Sequence, residues 1–361
     1  MIMNKTIMKC MVLGLLFAGC ENGDKEFDDY EYQTISFATQ TPIRTITLGE
    51  DVYPTEQDNE YRMQIIATLG GVWSNRKERT AQIVIDESLC TNAYFDNGKP
   101  ILPMPKEYYT YSSEQVVFPK GDIYGRMDIQ LTDAFFNDPL TPELTYVIPV
   151  RLAQAADSIL AGKPKVESPN RLNVADWDVL PKDYALYGVT YKNKYEGVWL
   201  SRGTDQLDIN GNTSTLNRNP QNIEKADQRT LGTIALNKVR YPLSLSVDVV
   251  NEKGESSKQT LTMDLVITVD DNGNCSITTD TPGAQASGSG KWTYHGAKKA
   301  WGDKDRDLFE LTYEVTYAPY VLNAVTGETG TAKCSSTDAL VSRDRQSKFE
   351  TFNVKLKSTA I

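Results

Sequence analysis

Few residues of this 361-residue chain could act as catalysts or metal ligands. Its one histidine, His295, excludes mechanisms and metal centres that require two or more imidazoles. No Gly-x-Ser-x-Gly elbow precedes His295, because Gly288-Ser289-Gly290 lies in a Ser/Gly-rich loop. The 48 acidic residues supply many accidental carboxylate pairs, and none stands out as a glycosidase pair. The sequence therefore predicts no catalytic residues and no cofactor, and it favours a binding function.

Three acidic residues at alternate positions form the best candidate for a metal site. Asp303, Asp305 and Asp307 have the spacing of ligands in a calcium loop, and Glu314 stands at the twelfth position. Leu308 occupies the sixth position, where the sharp turn of such a loop requires glycine. The residues that follow alternate between apolar and polar types, which places Glu314 on a predicted strand. We therefore expect a solvated loop with local Asp–Arg pairs rather than bound calcium.

Aromatic rings at predicted loop tips are the clearest binding signal. Trp301 lies among small and charged residues, and Trp73 begins a polar stretch over residues 74–79. Trp199 and Trp292 fall inside predicted strands and are expected in the core. An exposed ring can stack on a sugar or on a peptide side chain, so Trp301 and Trp73 are the predicted ligand-binding residues. The alternative is that each ring folds back onto its own domain.

The N-terminal residues predict export and lipid attachment. Residues 1–19 carry Lys5 and Lys9, no acidic residue, and an apolar run too short to span a bilayer, as in a secretory signal peptide. This run ends in Leu16-Phe17-Ala18-Gly19-Cys20, which resembles the bacterial lipobox. The resemblance implies that Cys20 becomes the acylated N-terminus, so the protein would be anchored to a membrane without spanning it. An ordinary signal peptide is the alternative.

Residues 20–31 are predicted to form an acidic, flexible tether. An acidic stretch directly after the lipid-bearing cysteine is similar to the signal that sends Bacteroidetes lipoproteins to the outer face of the outer membrane. We therefore expect the chain to be anchored in the outer membrane and to face the extracellular side. The alternative is a solvated linker on a lipoprotein that faces the periplasm.

Charge and cysteine usage set further limits. The formal net charge of −10 argues against nucleic acid as a partner, since phosphate binding requires an excess of Lys and Arg. Without Cys10 and Cys20, three cysteines remain, which are Cys90, Cys275 and Cys334. A Cys275–Cys334 disulfide requires neighbouring strands, and three buried free thiols are equally compatible with the sequence.

Alternating apolar and polar runs predict an all-β chain of two domains. Turn residues separate seven short runs in the first half, which is typical of an immunoglobulin-like sandwich. Residues 153–160 give the one helical signal there. About nine runs follow in the second half, which favours an antiparallel, lipocalin-like β-barrel or a second sandwich. Asp271-Asn272-Gly273 between two of these runs is the strongest hairpin signal of the chain.

Several segments together resemble Bacteroidetes surface lipoproteins of the SusE-like type, which begin with an immunoglobulin-like domain of unassigned function. These segments are the lipobox, residues 42–51, residues 131–136 with 145–150, and Ala175-Asp176-Trp177-Asp178. The resemblance implies a non-catalytic accessory subunit of a SusC/SusD-type outer-membrane uptake system. Its motifs are structural, so they imply no catalytic residues.

The sequence thus predicts a surface lipoprotein that captures a glycan for a SusC/SusD-like transporter. Capture of an oligopeptide, or binding of a lipid in an apolar barrel, are the alternatives, and a glycoside hydrolase is disfavoured. The predicted organisation is a signal peptide (1–19), a tether (20–31), an immunoglobulin-like sandwich (32–162), a linker (163–183) and a barrel-like ligand-binding domain (184–361).

Overall fold

The computed structural model describes residues 28–357, so the predicted signal peptide, Cys20 and most of the tether lie outside the described residues. The structure is nearly all β, with 58% strand and 7% helix, which confirms the predicted fold class. No helix among the described residues is long and apolar enough to cross a membrane.

The strands up to the barrel are β1 (Thr34–Ser36), β2 (Pro42–Thr47), β3 (Arg62–Gly70), β4 (Arg79–Ile85), β5 (Ala93–Tyr94), β6 (Leu102–Pro103), β7 (Tyr109–Tyr111), β8 (Gln115–Phe118), β9 (Tyr124–Leu131), β10 (Tyr146–Ala155), β11 (Ser158–Ile159), β12 (Lys163–Pro164), β13 (Trp177–Val179) and β14 (Tyr184–Lys192). The later strands are β15 (Gly197–Ile209), β16 (Asn212–Asn217), β17 (Asp227–Ala235), β18 (Lys238–Val250), β19 (Ser256–Val269), β20 (Asn274–Thr279), β21 (Ala284–Trp301), β22 (Lys304–Asn323), β23 (Glu328–Asp344), β24 (Glu350–Thr351) and β25 (Lys355–Leu356). The helices are α1 (Glu56–Asn59), α2 (Asp133–Asn137) and the 3-10 segments Glu87–Cys90, Lys106–Tyr108, Val174–Asp176 and Ile223–Lys225.

The first domain is one sheet that folds over onto itself as a sandwich. Its strand order is β11-β1-β3-β9-β8-β4-β10-β14-β2-β24, with β6 and β7 on side branches. The strands β3 and β14 are far apart in this order, yet the Tyr187 hydroxyl of β14 accepts the Ile66 N–H of β3 at 2.9 Å. Alternate side chains of both layers point inward and form one buried core. The period-2 patterns of the first half are thus the two inner faces of a sandwich.

The strand β14 joins the two domains. It lies within residues 184–361, which the sequence analysis assigned to the second domain, but it pairs with β10 and runs parallel to β2 in the first sheet. Eight of its nine residues are buried. A strand between two neighbours and covered on both faces has no polar side, so its apolar run does not indicate to which domain it belongs.

The predicted helical signal over residues 153–160 is wrong. The strand β10 continues to Ala155, and β11 then pairs in parallel with β1. The pairing of β10 with β4 shifts register between Leu152 and Gln154. This bulge breaks the strict alternation of side chains, so the sequence loses its period-2 signal although the segment stays extended.

The segment between the domains is held against the sandwich. The Trp177 ring is buried, and its indole N–H donates to the Asn170 carbonyl at 2.9 Å. Arg171 donates two guanidinium nitrogens to the buried Asp183 carboxylate at 2.9–3.3 Å. The predicted linker therefore contains fixed contacts at both Trp177 and Arg171.

The second domain is a closed antiparallel barrel. Seven consecutive strand pairs run from β15 through β17 to β23, and a further pairing of β23 with β15 closes the ring of eight strands. The predicted hairpin forms from β19 and β20, which pair from Leu265–Thr279 to Val269–Cys275. The strand β16 is added beside β15 at the end of the sheet order, and all six of its residues are exposed.

Side chains fill the barrel lumen. Inward residues of seven strands form one buried cluster that includes Trp199, Tyr241, Tyr313 and Phe309, and partly buried residues of β21 pack against it. Outward positions are mostly polar, as in β18, where exposed and buried residues alternate over eleven positions. The strand pattern of the second half is therefore that of a packed barrel.

The chain returns to the sandwich after the barrel. The strand β24 pairs with β2, the Phe352 ring lies 5.3 Å from the Phe95 ring, and β25 pairs with β5. The three cysteines of the described residues, Cys90, Cys275 and Cys334, are buried free thiols. The barrel is thus a closed unit inserted between two strands of the first sheet, β14 and β24.

Candidate functional site

A cleft of about 660 Å³ lies where the sandwich meets one mouth of the barrel. The sandwich contributes Gly49 to Val52, the loop that follows β2. The barrel contributes the start of β15, the end of β23 and the bent β21–β22 hairpin. Both domains therefore line a single concave surface, which is the most common kind of place for a ligand site.

An aromatic wall forms one side of this cleft. The rings of Tyr294 and His295 stack with centroids 3.9 Å apart and an interplanar angle of 18°. Tyr294 remains 53% exposed, so part of its ring is open to a ligand. Trp292 lies next to it at 6.4 Å and contacts Tyr195 edge-on at 5.2 Å. Behind this wall, buried rings close the barrel mouth.

The local backbone explains how these rings reach the cleft. The pairing of β21 with β22 shifts register between Thr293 and Ala297 and again before Trp301. His295 has a positive φ of 48°, which is rare for a residue with a side chain. Such bulges bend a strand and turn its side chains in a new direction. The hairpin therefore leaves the barrel wall and presents Tyr294 and His295 toward the sandwich.

Glu50 of the sandwich faces this aromatic pair. The Tyr294 hydroxyl donates to one carboxylate oxygen of Glu50, and His295 Nε2 lies 3.2 Å from the other. The hydrogen bond to Glu50 raises the pKa of Tyr294 to about 12. A carboxylate with two neighbouring polar groups and an exposed position can also accept hydroxyl groups of a ligand.

Arg345, at the end of the β23 segment, ties the two domains together beneath the cleft. One terminal nitrogen donates to the Leu48 carbonyl at 3.1 Å, and the other donates to the Asn193 carbonyl at 2.5 Å. Burial lowers the pKa of this guanidinium, although Glu196 and Asp51 nearby act in the opposite direction. Its Nε and the Trp292 Nε1 are buried donors without an acceptor among the described residues.

Asp307 and Lys194 complete the charged lining. Asp307 accepts the backbone N–H of His295 at 2.9 Å, and burial raises the pKa of its carboxyl. The Lys194 ammonium lies 4.7 Å from the centre of the Trp292 ring and 5.2 Å from that of Tyr195. The cleft thus combines flat rings with charged hydrogen-bonding groups of both signs.

The structure places the two predicted ligand-binding tryptophans away from this cleft. Trp301 is partly buried against a small cluster that contains Leu200, Ala226 and Val341 on the outside of the barrel. Trp73 is 55% exposed, but it lies on the loop between β3 and β4 of the sandwich. A small ligand in the cleft would contact neither ring. As predicted, Trp199 is in the core, and Trp292 packs against it.

The three candidate calcium ligands have separate partners. Asp303 lies with Gly302 in the two-residue turn between β21 and β22, and both have positive φ. Asp305 accepts the Lys298 ammonium at 3.0 Å, and Asp307 faces the cleft as described. Within the described residues, no group of three His, Cys, Asp or Glu side chains is arranged to hold a metal ion.

Comparison with known proteins finds two matching domain profiles and a related protein of known structure. The profile of a domain of unknown function, DUF5627, matches residues 194–346, and a profile described as a "-like, N-terminal domain" matches residues 30–159. A Bacteroides ovatus protein of unknown function is 33% identical, with a TM-score of 0.79, over 92% of this chain and 100% of that protein. The chain belongs to the family of this Bacteroides ovatus protein.

Two further solved structures are less similar to this chain. A multidomain protein from Bacteroides ovatus that includes DUF1735 is 12% identical, with a TM-score of 0.40, over 88% of this chain and 97% of that one. An auxiliary nutrient binding protein from Bacteroides thetaiotaomicron is 13% identical, with a TM-score of 0.37, over 83% of this chain and 90% of that one. No curated protein matches the chain.

Proposed function

We propose that this protein is a surface lipoprotein that captures a glycan in the cleft between its two domains and does not act on it chemically. The observation that carries the proposal is the exposed Tyr294 ring, stacked on His295 and held opposite Glu50. These three residues come from both domains, so a ligand between them would contact the sandwich and the barrel at once.

The chemistry of the cleft fits a sugar ring. A pyranose has apolar C–H faces and a rim of hydroxyl groups, so it requires a flat ring beside hydrogen-bonding side chains. Tyr294 supplies the flat ring, and Glu50, Asp307 and Lys194 supply acceptors and donors around it. A cleft of about 660 Å³ has the volume of a typical small-ligand site.

The other predicted ligands find less support. Side chains of the protein itself occupy the barrel lumen, so an apolar ligand would have to displace buried rings such as Tyr241 and Tyr313. An oligopeptide could still use the charged groups of the cleft. The binding experiment below therefore includes peptides.

The cellular setting of the proposal comes from the sequence. The lipobox-like segment that ends at Cys20 supports an outer-membrane anchor, and the resemblance to SusE-like lipoproteins supports a SusC/SusD-type transporter as the partner. Membership of a family with a Bacteroides ovatus protein is compatible with this setting. The glycan-binding subunit would hold its cargo near the transporter.

The test is calorimetry of the chain from Glu21 onward, titrated with a panel of oligosaccharides and with a mixed peptide digest. We expect heat from one class of glycan. Tyr294→Ala should weaken the binding of that glycan about 5-fold to 150-fold, because loss of a central stacking ring has an effect on the order of 1–3 kcal/mol. Analysis of the same mixtures after incubation should find the glycan unchanged.

Tyr124→Ala is the matched control, since Tyr124 is also an exposed tyrosine but lies on β9, outside the cleft. It should leave the affinity unchanged. Heat from peptides alone would replace the glycan with an oligopeptide. Equal affinities of the wild-type and Tyr294→Ala proteins would move the site away from the cleft.

A further inference from the structure

A second group of exposed rings lies at the other end of the sandwich. Tyr30 is 79% exposed, Tyr32 69% and Trp73 55%, and the nearby Ile123 and Tyr124 are also exposed. We call these five residues the aromatic end. A single exposed ring needs no explanation, but a contiguous set that includes Trp and Tyr marks an interaction surface.

The strand directions place the aromatic end opposite the barrel. The C-terminal end of β14 leads into the barrel. The strand β10 is antiparallel to β14 and also antiparallel to β4. The strand β4 is therefore parallel to β14 and begins at the end farthest from the barrel. The segment before β1, the β3–β4 loop and the β8–β9 loop all lie there, because Thr34 pairs with Gly70 and Arg79 pairs with Phe118.

Backbone contacts hold the aromatic end in place. The Tyr30 N–H donates to the Gly71 carbonyl at 2.9 Å, and the Trp73 N–H donates to the Asp29 carboxylate at 2.7 Å. The neighbouring loop is attached through the buried Asn75, whose side-chain amide donates to the Pro119 carbonyl at 2.8 Å. The backbone that carries these rings is therefore held in a fixed position.

The length of the tether limits which surfaces the aromatic end can contact. Asp28 follows Cys20 by eight residues, which span at most about 28 Å when fully extended. The four rings and Ile123 thus remain close to the membrane whenever Cys20 is anchored. Trp and Tyr are the side chains that favour the boundary between lipid headgroups and acyl chains, because an apolar ring and a polar N–H or O–H group are satisfied there together.

We propose that the aromatic end rests in the headgroup layer of the membrane to which Cys20 is attached, so that the barrel and the cleft point away from it. This inference rests on the lipid anchor of the proposed function. It assigns Trp73 to lipid contact instead of glycan contact.

Charge makes this contact independent of anionic lipid. The cations near the aromatic end are Arg76, Lys77, Lys120 and Arg126, and the nearby acids are Asp28, Asp29, Glu31, Glu78 and Asp122. The two signs nearly cancel, so attraction to anionic headgroups gives little net stabilisation. Zwitterionic headgroups should therefore suffice, and added salt should change the contact little.

The experiment attaches the chain chemically at Cys20. The protein from Cys20 onward is coupled to a maleimide phospholipid in phosphatidylcholine vesicles that carry bromine near the headgroups. Cys90, Cys275 and Cys334 are buried, and burial raises the pKa of Cys90 to about 12 and of Cys275 to about 11, so coupling is selective for Cys20. Bromine quenches the fluorescence of any tryptophan that it contacts.

We expect quenching in the wild-type protein that is lost in Trp73→Phe and retained in Trp301→Phe, which changes a ring on the barrel. Absence of quenching in the wild-type protein, or full quenching in Trp73→Phe, would overturn the proposal. Loss in Trp301→Phe would mean that the barrel faces the membrane. Because the attachment is chemical, none of these results depends on acylation in the cell or on glycan binding.

Discussion

A buried charge network inside the barrel shows how single residues determine its stability. The Asp338 carboxylate is buried and accepts the hydroxyl groups of Tyr241 at 2.7 Å and Tyr313 at 2.8 Å. Arg218 enters from the segment after β16 and donates to Asp338 at 2.5 Å and to Asp205 at 2.7 Å. One guanidinium thus bridges two carboxylates in the same interior.

Removal of this guanidinium should destabilise the protein strongly. Arg218→Gln removes the ion-pair partner of Asp338 and Asp205, and loss of one partner of a buried ion pair typically costs about 3–5 kcal/mol. Arg240→Gln breaks the exposed pair with Asp264 and should cost about 1 kcal/mol or less. Urea unfolding of both variants measures the difference. Equal losses would show that the network contributes no more than a surface pair.

Asp307 predicts a pH dependence with a defined sign. Burial raises its pKa, so the folded chain holds this proton more tightly than the unfolded chain does. Stability must therefore fall as the pH rises from the ordinary carboxyl value through the raised one. Asp307→Asn is always neutral, and its amide oxygen can still accept the His295 N–H. We expect it to be more stable than the wild type at pH 7, with a smaller difference at pH 4.

Asp305 is the control for this prediction, since its carboxyl has the opposite behaviour two residues away. The hydrogen bond from Lys298 lowers the pKa of Asp305. Its contribution is present at neutral pH and is lost as the pH falls through the lowered value. Asp305→Asn should therefore be less stable than the wild type at pH 7. Urea unfolding in which both variants shift in the same direction would contradict the assignment.

At the residue scale, the sequence could not predict the cleft. Tyr294 and Glu50 are 244 positions apart, and no local pattern relates them. The small and charged residues that flank Trp301 predict an exposed ring, yet the ring packs closely on the barrel beside its small neighbours Ala297 and Ala300. The two-residue turn at Gly302-Asp303 was the available signal that a hairpin projects at this point.

At the scale of elements, two turn glycines allow the cost of backbone strain alone to be compared with the cost of backbone strain plus a steric clash. Gly273 and Gly254 both have a φ near +80°, in hairpins of the same barrel. A Cβ at Gly254 would meet nothing within 4 Å, whereas a Cβ at Gly273 would lie 2.5 Å from the Trp292 carbonyl oxygen. Gly254→Ala should cost about 1 kcal/mol through its φ alone, and Gly273→Ala should cost more.

Urea unfolding of the two alanine variants tests this comparison. A larger loss in Gly273→Ala supports the close approach of β21 to the β19–β20 turn. If Gly273→Ala lowered the free energy of unfolding no more than Gly254→Ala does, the β21 backbone would move aside without penalty. The pair shares residue type, substitution and φ, so the Trp292 carbonyl is the main difference between them.

Strand positions were largely predictable, because alternation reflects one buried face. The hairpin predicted at Asp271-Asn272-Gly273 forms from β19 and β20, in which buried residues alternate with less buried ones. The strand β16 was missed because all six of its residues are exposed and give no alternation. Membership of a sheet is a matter of long-range pairing, which explains why the apolar strand β14 was grouped with the wrong neighbours.

At the scale of the whole molecule, the anchor can be tested in cells. Cys20→Ser should prevent acylation and shift the protein from the membrane fraction to the soluble fraction, because the chain then lacks its covalent lipid. Metabolic labelling with a radioactive fatty acid and fractionation of the cells measure both effects. Substitution of Cys10, which lies within the predicted signal peptide, is the control. Unchanged labelling of Cys20→Ser would contradict the lipobox interpretation.

Closure of the barrel depends on distant pairs that no local sequence pattern contains. The strands β15 and β23 pair over twelve positions although more than 100 residues separate them. The composition was therefore compatible with either a barrel or a second sandwich. A lipid ligand would need an open barrel lumen. Whether the lumen is open depends on the size of the inward side chains, such as Tyr241.

The parallel pairing of β2 with β14 also has a mechanical consequence. The proposed anchor at Cys20 would pull β2, through β1, toward the membrane, while a load on the barrel would pull β14 the opposite way along the same axis. The five paired positions from Ile43–Gly188 to Thr47–Lys192 are then loaded in shear. Hydrogen bonds that are loaded in shear must break together instead of one after another. The sandwich should therefore resist force best along these strands, in the direction from the proposed anchor to the cleft.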